Sequence, residues 1–86
     1  MRDKRVLVVD DNETNCRILK NLLERGNMLP TTFTFTSAST AAERLRSPPV
    51  FDLILLDMMM PEMSGMELAE RIRAIPLYSR TPILLQ

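Results

Sequence analysis

Short apolar runs alternate with amphipathic helical segments along this chain, and the alternation restricts the folds it can adopt. The run from Val6 to Val9 is continuously apolar, which is typical of a strand covered on both faces, as in a parallel sheet. Thr32 to Thr36 has the two-residue period of a strand, and Val50 to Leu56 and Thr81 to Gln86 predict two more. The order β-α-β-α-β-α-β therefore predicts an α/β fold with a parallel sheet, because parallel neighbours need crossover connections.

The first predicted helix runs from about Thr14 to Arg25, and Gly26 stands where a glycine would end it. Its inward face is predicted to carry Ile18, Leu19, Leu22 and Leu23. The spacing of these apolar side chains predicts that one side of the helix packs on the sheet.

The second helix is predicted from Ser37 to Arg46, where two prolines follow, although Thr40 to Glu43 resembles a capping box inside it. The third helix opens at the capping box Ser64 to Glu67 and ends before Pro76. The side chains expected to face inward are Ala38, Ala41, Ala42 and Leu45 in the second helix and Met66, Leu68, Ala69 and Ile72 in the third.

Charge and cysteine content exclude several classes of function. Lys plus Arg equals Asp plus Glu at 11 each, so net charge gives no electrostatic case for binding nucleic acid or an anionic membrane. No apolar run approaches the roughly 20 residues that span a bilayer, and Val6 to Val9 is too short for a signal peptide. Cys16 is the single cysteine and is expected to be a buried or half-buried thiol. We therefore expect a cytoplasmic protein.

Aspartates follow two of the predicted strands. Asp10 and Asp11 close the first strand, and Asp57 closes the third. If the strand order is 2-1-3-4, as in doubly wound flavodoxin-like folds, these strands are neighbours and their ends flank the point where the strand order reverses. An isolated Asp-Asp pair is more often a solvated turn or a helix N-cap, but Asp57 at a second strand end favours a shared acidic site.

Such a cluster is electrostatically unfavourable without a cation, because neighbouring like charges disfavour joint ionisation. Mg²⁺ fits better than Zn²⁺, since the side-chain ligands are all oxygens and the chain has no histidine. A metal ion at this position would offset the negative charge on a phosphoryl group. A carboxylate could then act as a nucleophile toward phosphorus. Asp57 is the best nucleophile candidate, because the loop from Met58 to Ser64 can supply backbone groups to the site.

Two competing activities are less well supported. Phosphohydrolases with an aspartyl nucleophile usually carry a second acid two residues later, where this chain has Met59. A nucleotide or flavin site is disfavoured because Gly26 and Gly65 are the only glycines, so there is no glycine-rich phosphate loop.

The motifs resemble those of the receiver domains of two-component signalling. The acidic pair lies in Val8-Val9-Asp10-Asp11-Asn12, and Asp57 to Gly65 matches Asp-x-x-Met-Pro-x-x-x-Gly. The segment from Val8 to Leu19 is most similar to receivers attached to hybrid sensor histidine kinases. The resemblance covers residues 1–86 as one partial receiver domain, about two-thirds of a family domain.

The resemblance implies a function and a set of site residues. Asp57 would be the phosphoacceptor and Asp10 a second catalytic residue; Asp11, Asp57 and the Met59 backbone carbonyl would bind Mg²⁺, with Asp10 acting through water. The partners would be a histidine kinase or a histidine phosphotransfer domain, which would dock near the first helix. The domain would not be an enzyme beyond its own phosphorylation and dephosphorylation, and the parent protein would be a hybrid histidine kinase.

Receivers also carry a Thr or Ser after the fourth strand and a Lys after the fifth, and neither is present by Gln86. Their last helix-strand-helix would follow too. This leaves an alternative, a degenerate receiver that acts as a protein-interaction module without phosphotransfer. The uncovered fourth strand further predicts either a fragment of a longer polypeptide or self-association through the exposed edge.

Overall fold

A computed structural model describes residues 4–25 and 30–86 and contains one four-stranded parallel sheet. The strands are β1 (Arg5–Val9), β2 (Thr31–Phe35), β3 (Leu53–Leu56) and β4 (Ile83–Leu85), and the helices are α1 (Glu13–Leu23), α2 (Ala38–Arg44) and α3 (Gly65–Arg73). A short 3₁₀ helix (Pro76–Tyr78) precedes β4. The strand order is β2-β1-β3-β4, which confirms the predicted parallel, flavodoxin-like arrangement.

Strand β1 lies in the middle of the sheet and is buried on both faces. Alternate side chains point to opposite faces, so Leu7 and Val9 pack with α2 and α3, whereas Val6 and Val8 pack with α1. Val6 to Val9 are all 0% exposed. This explains why the run lacks the polar alternation of a half-solvated strand.

Helix α1 packs on the sheet along a different stripe from the one predicted. Cys16 is buried, as predicted, and Leu19 and Leu23 are half-buried beside it, which matches helical i, i+3, i+7 spacing. Ile18 and Leu22 were predicted to face inward, but they are 51% and 57% exposed, because they lie one residue away from that stripe. Gly26, the predicted stop, lies outside the described residues.

The other helix predictions were right in position and wrong in detail. Helix α2 is capped by Ser37, whose hydroxyl accepts from the Thr40 N–H, so the helix starts at Ser37 as predicted and not at the capping-box-like segment from Thr40 to Glu43. The inward face predicted for α2 is correct, with Ala38, Ala41 and Leu45 buried and Ala42 half-buried.

Helix α3 is capped by Ser64 as predicted, and Leu68 and Ile72 are buried. Met66 is 52% exposed rather than inward, since it lies off the stripe of Gly65, Leu68 and Ile72.

Tyr78 is part of the larger hydrophobic core, and the sequence analysis did not predict this. Its side chain is 1% exposed, and its hydroxyl oxygen accepts a hydrogen bond from the Phe51 N–H at 3.2 Å. The Arg73 guanidinium donates to the carbonyls of Tyr78 and Thr81, which links α3 to the segment before β4. These contacts fix the position of β4, which pairs with β3 from Ile54–Ile83 to Leu56–Leu85.

Candidate functional site

The ends of β1 and β3 lie side by side at one edge of the sheet. The register pairs Val9 with Leu56, and the Asp57 N–H donates to the Val9 carbonyl oxygen at 2.9 Å. The next residues, Asp10 and Asp57, therefore leave neighbouring strands at the same level. Parallel pairing alone brings side chains 47 positions apart in sequence to one place.

The predicted acidic residues do converge. Carboxylate oxygens of Asp10, Asp11 and Asp57 lie within 4.8 Å of one another, one from each residue. Asp10 is buried, Asp57 is half-buried and Asp11 is exposed. Carboxylates grouped in this way could hold a divalent cation, because hard cations take oxygen ligands.

Local hydrogen bonds orient two of these carboxylates. Asp10 accepts at Oδ1 from the Asn12 N–H at 2.9 Å, and Asn12 in turn caps α1 by accepting from the Asn15 N–H. Asp57 accepts at Oδ1 from the Met59 N–H at 3.1 Å. Each acid is therefore held by the turn that follows its own strand.

The surroundings of Asp11 disfavour its ionised form. Partial desolvation and the adjacent carboxylates of Asp57 and Asp10 raise the pKa of Asp11 above its usual range. A proton or a metal cation in the cluster would relieve this repulsion. The electrostatics thus favour binding of positive charge at this position.

The loop after Asp57 forms one wall of the site. A cleft of about 330 Å³ is lined by Asp11, Ser64 and the loop residues Met58, Met59, Met60 and Pro61. The Met58 N–H donates to the Gln86 carbonyl, and the Gly65 N–H donates to the Met58 carbonyl. The backbone at residue 86 therefore lies next to this loop. Met59 itself is 80% exposed.

The comparisons with known proteins agree with this geometry. Residues 6–86 match the response regulator receiver domain family. The chain belongs to this family. Receiver domains are signalling modules of two-component systems, and this one contains the acidic cluster at the expected strand ends.

Among the relatives of this chain are larger signalling proteins, of which it matches only a part. The chain is 38% identical over 84 residues to stress response regulator protein 1 of Meyerozyma guilliermondii, covering 98% of this chain and 38% of that protein. It is 38% identical over 79 residues to the signal transduction histidine-protein kinase BarA of Escherichia coli, covering 92% of this chain and 8% of the kinase. This receiver domain thus spans well under half the length of these relatives.

Solved structures show the same fold. The chemotaxis protein CheY4 of Vibrio cholerae superposes with a TM-score of 0.86 at 28% identity, over 95% of this chain and 66% of that one. The N-terminal domain of a response regulator receiver protein from Methanoculleus marisnigri superposes with a TM-score of 0.81 at 37% identity, over 94% of this chain and 63% of that one. No helix in residues 4–25 and 30–86 of this receiver domain is long and apolar enough to cross a membrane.

Glu62 belongs to the surroundings of the site but was not anticipated. It lies in the loop after Asp57 and accepts hydrogen bonds from serines at the start of α2. No local sequence pattern indicates this contact, because its partners lie more than 20 positions earlier in the chain.

Proposed function

We propose that this receiver domain accepts a phosphoryl group on Asp57 from the phosphohistidine of a histidine kinase or a histidine phosphotransfer domain. The observation that carries the proposal is the convergence of the Asp10, Asp11 and Asp57 carboxylates. The names of relatives such as the kinase BarA support a histidine kinase as the source of the phosphoryl group.

The residues of the cluster fit Mg²⁺. The side-chain donors are oxygens, and the pKa of Asp11 is raised by partial desolvation and by its acidic neighbours Asp57 and Asp10, whose repulsion a divalent cation would offset. Asp11, Asp57 and the Met59 carbonyl would hold the ion directly, and Asp10 would hold it through water. The ion would offset negative charge on the incoming phosphoryl oxygens.

The chemistry assigned to the protein is nucleophilic. An oxygen of the Asp57 carboxylate forms the new bond to phosphorus while the phosphorus–nitrogen bond of phosphohistidine breaks, and its electron pair returns to the imidazole. The Met59 N–H, which donates to Asp57 Oδ1, restricts rotation of the carboxylate. Positioning of this kind supplies much of what phosphoryl transfer requires from a protein.

The same proposal sets the role of the domain. It accepts and loses a phosphoryl group but does not turn over a separate substrate, so it is a signalling module rather than an enzyme. We place it in the cytoplasm, either as part of a hybrid histidine kinase or as a separate regulator.

The test is the intact mass of the protein after incubation with acetyl phosphate and Mg²⁺. The wild type is expected to gain the mass of one phosphoryl group, and Asp57→Asn is expected to gain none. Asp52→Asn is the matched control, because Asp52 is an exposed aspartate just before the opposite end of β3. An unmodified wild type, or equal modification of Asp57→Asn, would reject phosphotransfer and support the alternative of a protein-interaction module.

A further inference from the structure

Glu62 connects the loop after Asp57 to the start of α2. Its Oε1 accepts from the Ser37 hydroxyl at 2.7 Å, and its Oε2 accepts from the Ser39 hydroxyl at 2.9 Å. The Ser39 N–H lies 3.5 Å from Oε1. Both oxygens of one carboxylate are thus bound to a separate structural element.

The hydrogen bonds from the Ser37 and Ser39 hydroxyls to the Glu62 carboxylate are charge-assisted and therefore stronger than bonds between neutral groups. The hydroxyls of Ser37 and Ser39, which donate to the carboxylate, lower the pKa of Glu62. The side chain is therefore ionised at neutral pH and acts only as an acceptor.

Elsewhere the loop is held mainly next to Asp57. The Met59 N–H donates to Asp57 Oδ1, and the Gly65 N–H donates to the Met58 carbonyl. Met60 and Met63 are half-buried and pack against the larger core. Glu62 supplies the polar attachment at the outer part of the loop, three residues after Met59.

We propose that Glu62 is a positioning residue, which holds the loop after Asp57 against α2 and so keeps Met59 at the acidic cluster. The expected effect of Glu62 on Mg²⁺ binding rests on the proposed function. The attachment of the loop to α2 does not depend on any metal. It assigns a role to a side chain that does not touch the reacting atoms.

Loss of Glu62 should leave α2 intact, which makes the effect local. Each serine hydroxyl has one proton, and in the native contact both protons go to Glu62 although the two oxygens are only 2.9 Å apart. Without the carboxylate, the two serines can hydrogen-bond to each other. Ser37 can then still accept from the Thr40 N–H and cap α2.

The experiment is residue-resolved amide hydrogen exchange on the metal-free 86-residue chain, followed by Mg²⁺ titration. Glu62→Ala is expected to speed exchange at Met59 and Gly65 and to weaken Mg²⁺ binding by about tenfold, the lower end for residues that support metal ligands. Glu70→Ala is the matched control, because Glu70 is an exposed glutamate on α3 outside the loop.

Two further variants separate positioning from simple charge loss. Ser39→Ala removes one donor but no charge, and it is expected to weaken Mg²⁺ binding about threefold, since Ser37 still holds Glu62. Glu62→Gln removes the charge but keeps an acceptor and a donor for the serines, so it is expected to restore most of the slow exchange. Equal Mg²⁺ binding by Ser39→Ala and wild type would overturn the positioning role in favour of a charge effect.

The failures of the two proposals can be told apart. If the wild type binds no Mg²⁺, the proposed function fails, but faster exchange at Met59 in Glu62→Ala still supports the attachment. If the wild type binds Mg²⁺ and exchange in Glu62→Ala is unchanged, or faster to the same degree throughout the protein, the positioning role is rejected while the proposed function stands.

Discussion

At the scale of single residues, Gly65 is defined by its closeness to Asp57. A Cβ atom at this position would collide with the Asp57 carbonyl oxygen and press on Met58. The collision involves backbone atoms, which cannot move aside as a flexible side chain can. The glycine in the Asp-x-x-Met-Pro-x-x-x-Gly motif therefore has a steric reason in this structure.

Gly65→Ala should displace the start of the loop that carries Met59. We expect the free energy of unfolding to fall by about 1–3 kcal/mol, the usual range for overpacking a tight site, and Mg²⁺ binding to weaken. Urea denaturation measures the first effect and titration the second. Met66→Ala is the control, because Met66 is the next residue of α3 and is exposed. Equal stability of Gly65→Ala and wild type would show that the backbone contact is not restrictive.

The raised pKa of Asp11 predicts an unusual pH dependence. Because the folded protein holds the Asp11 proton more tightly than the unfolded chain, the stability of the metal-free protein should fall as pH rises from the ordinary aspartate value of about 3.9 through the raised pKa. Asp11→Asn should therefore be more stable than wild type at neutral pH. Thermal unfolding in a chelator should show this difference shrinking as pH falls. A difference that does not change with pH would contradict the assigned cause.

Protons and Mg²⁺ should compete for the same carboxylate. Lowering the pH through the raised pKa of Asp11 protonates it, so Mg²⁺ affinity should begin to decline at a higher pH than for an unperturbed aspartate. Mg²⁺ titrations across this pH range measure the effect. An affinity that stays constant until the ordinary aspartate pKa is reached would argue against Asp11 as a ligand.

At the scale of secondary structure, β1 and β3 were predictable because burial on both faces leaves a strong apolar signal, and β2 was predictable from its two-residue Thr-Phe period. The order 2-1-3-4 was assumed by analogy with flavodoxin-like folds, and with that order the ends of β1 and β3 bring Asp10, Asp11 and Asp57 together, as the structure shows. The inward faces of α1 and α3 were less predictable. Ile18 and Met66 are apolar but exposed, so an apolar side chain alone does not identify the packed stripe.

Contacts between distant residues left no local pattern. The bond from the Phe51 N–H to the Tyr78 hydroxyl joins residues 27 positions apart, and the Ser37 hydroxyl reaches Glu62 over 25 positions. Neither pair belongs to a repeating period or a turn motif. Such contacts depend on how helices, strands and loops pack in the folded chain, so the local sequence does not indicate them.

Tyr78→Phe tests whether the 3₁₀ helix is tied to the core by this hydrogen bond. The substitution keeps the ring but leaves the buried Phe51 N–H without its acceptor, so we expect a loss of about 1–3 kcal/mol in the free energy of unfolding. Chemical denaturation measures this loss in the free energy of unfolding. A change of less than a few tenths of a kcal/mol would indicate that the hydroxyl contributes little.

At the scale of the whole molecule, one face of the sheet carries exposed apolar side chains. Leu84 pairs in register with Leu55, so both lie on the face that packs against α1, yet Leu84 is 55% exposed. Ile18 and Leu22 of α1 are also exposed. Within residues 4–25 and 30–86, β4 has β3 as its only strand neighbour. From this surface and edge we propose that the 86-residue chain self-associates, which is one of the two alternatives that the uncovered fourth strand predicts.

Leu84→Lys should weaken that association. Losing one buried leucine at an interface is worth about 1.5–3 kcal/mol, so the dissociation constant should rise by roughly tenfold or more. Sedimentation velocity over a range of concentrations measures it. Leu77→Lys serves as the control, because Leu77 is 71% exposed in the 3₁₀ helix. A well-folded wild-type monomer at every concentration would refute self-association.

A Mg²⁺ titration followed by residue-resolved backbone amide spectra tests most directly whether the ends of β1 and β3 form one magnesium site, as we propose. We expect saturable shifts concentrated at Asp10, Asp11, Asp57 and Met59, and we expect Asp57→Asn to weaken them greatly. Shifts that are absent, or that leave either strand end unaffected, would contradict it.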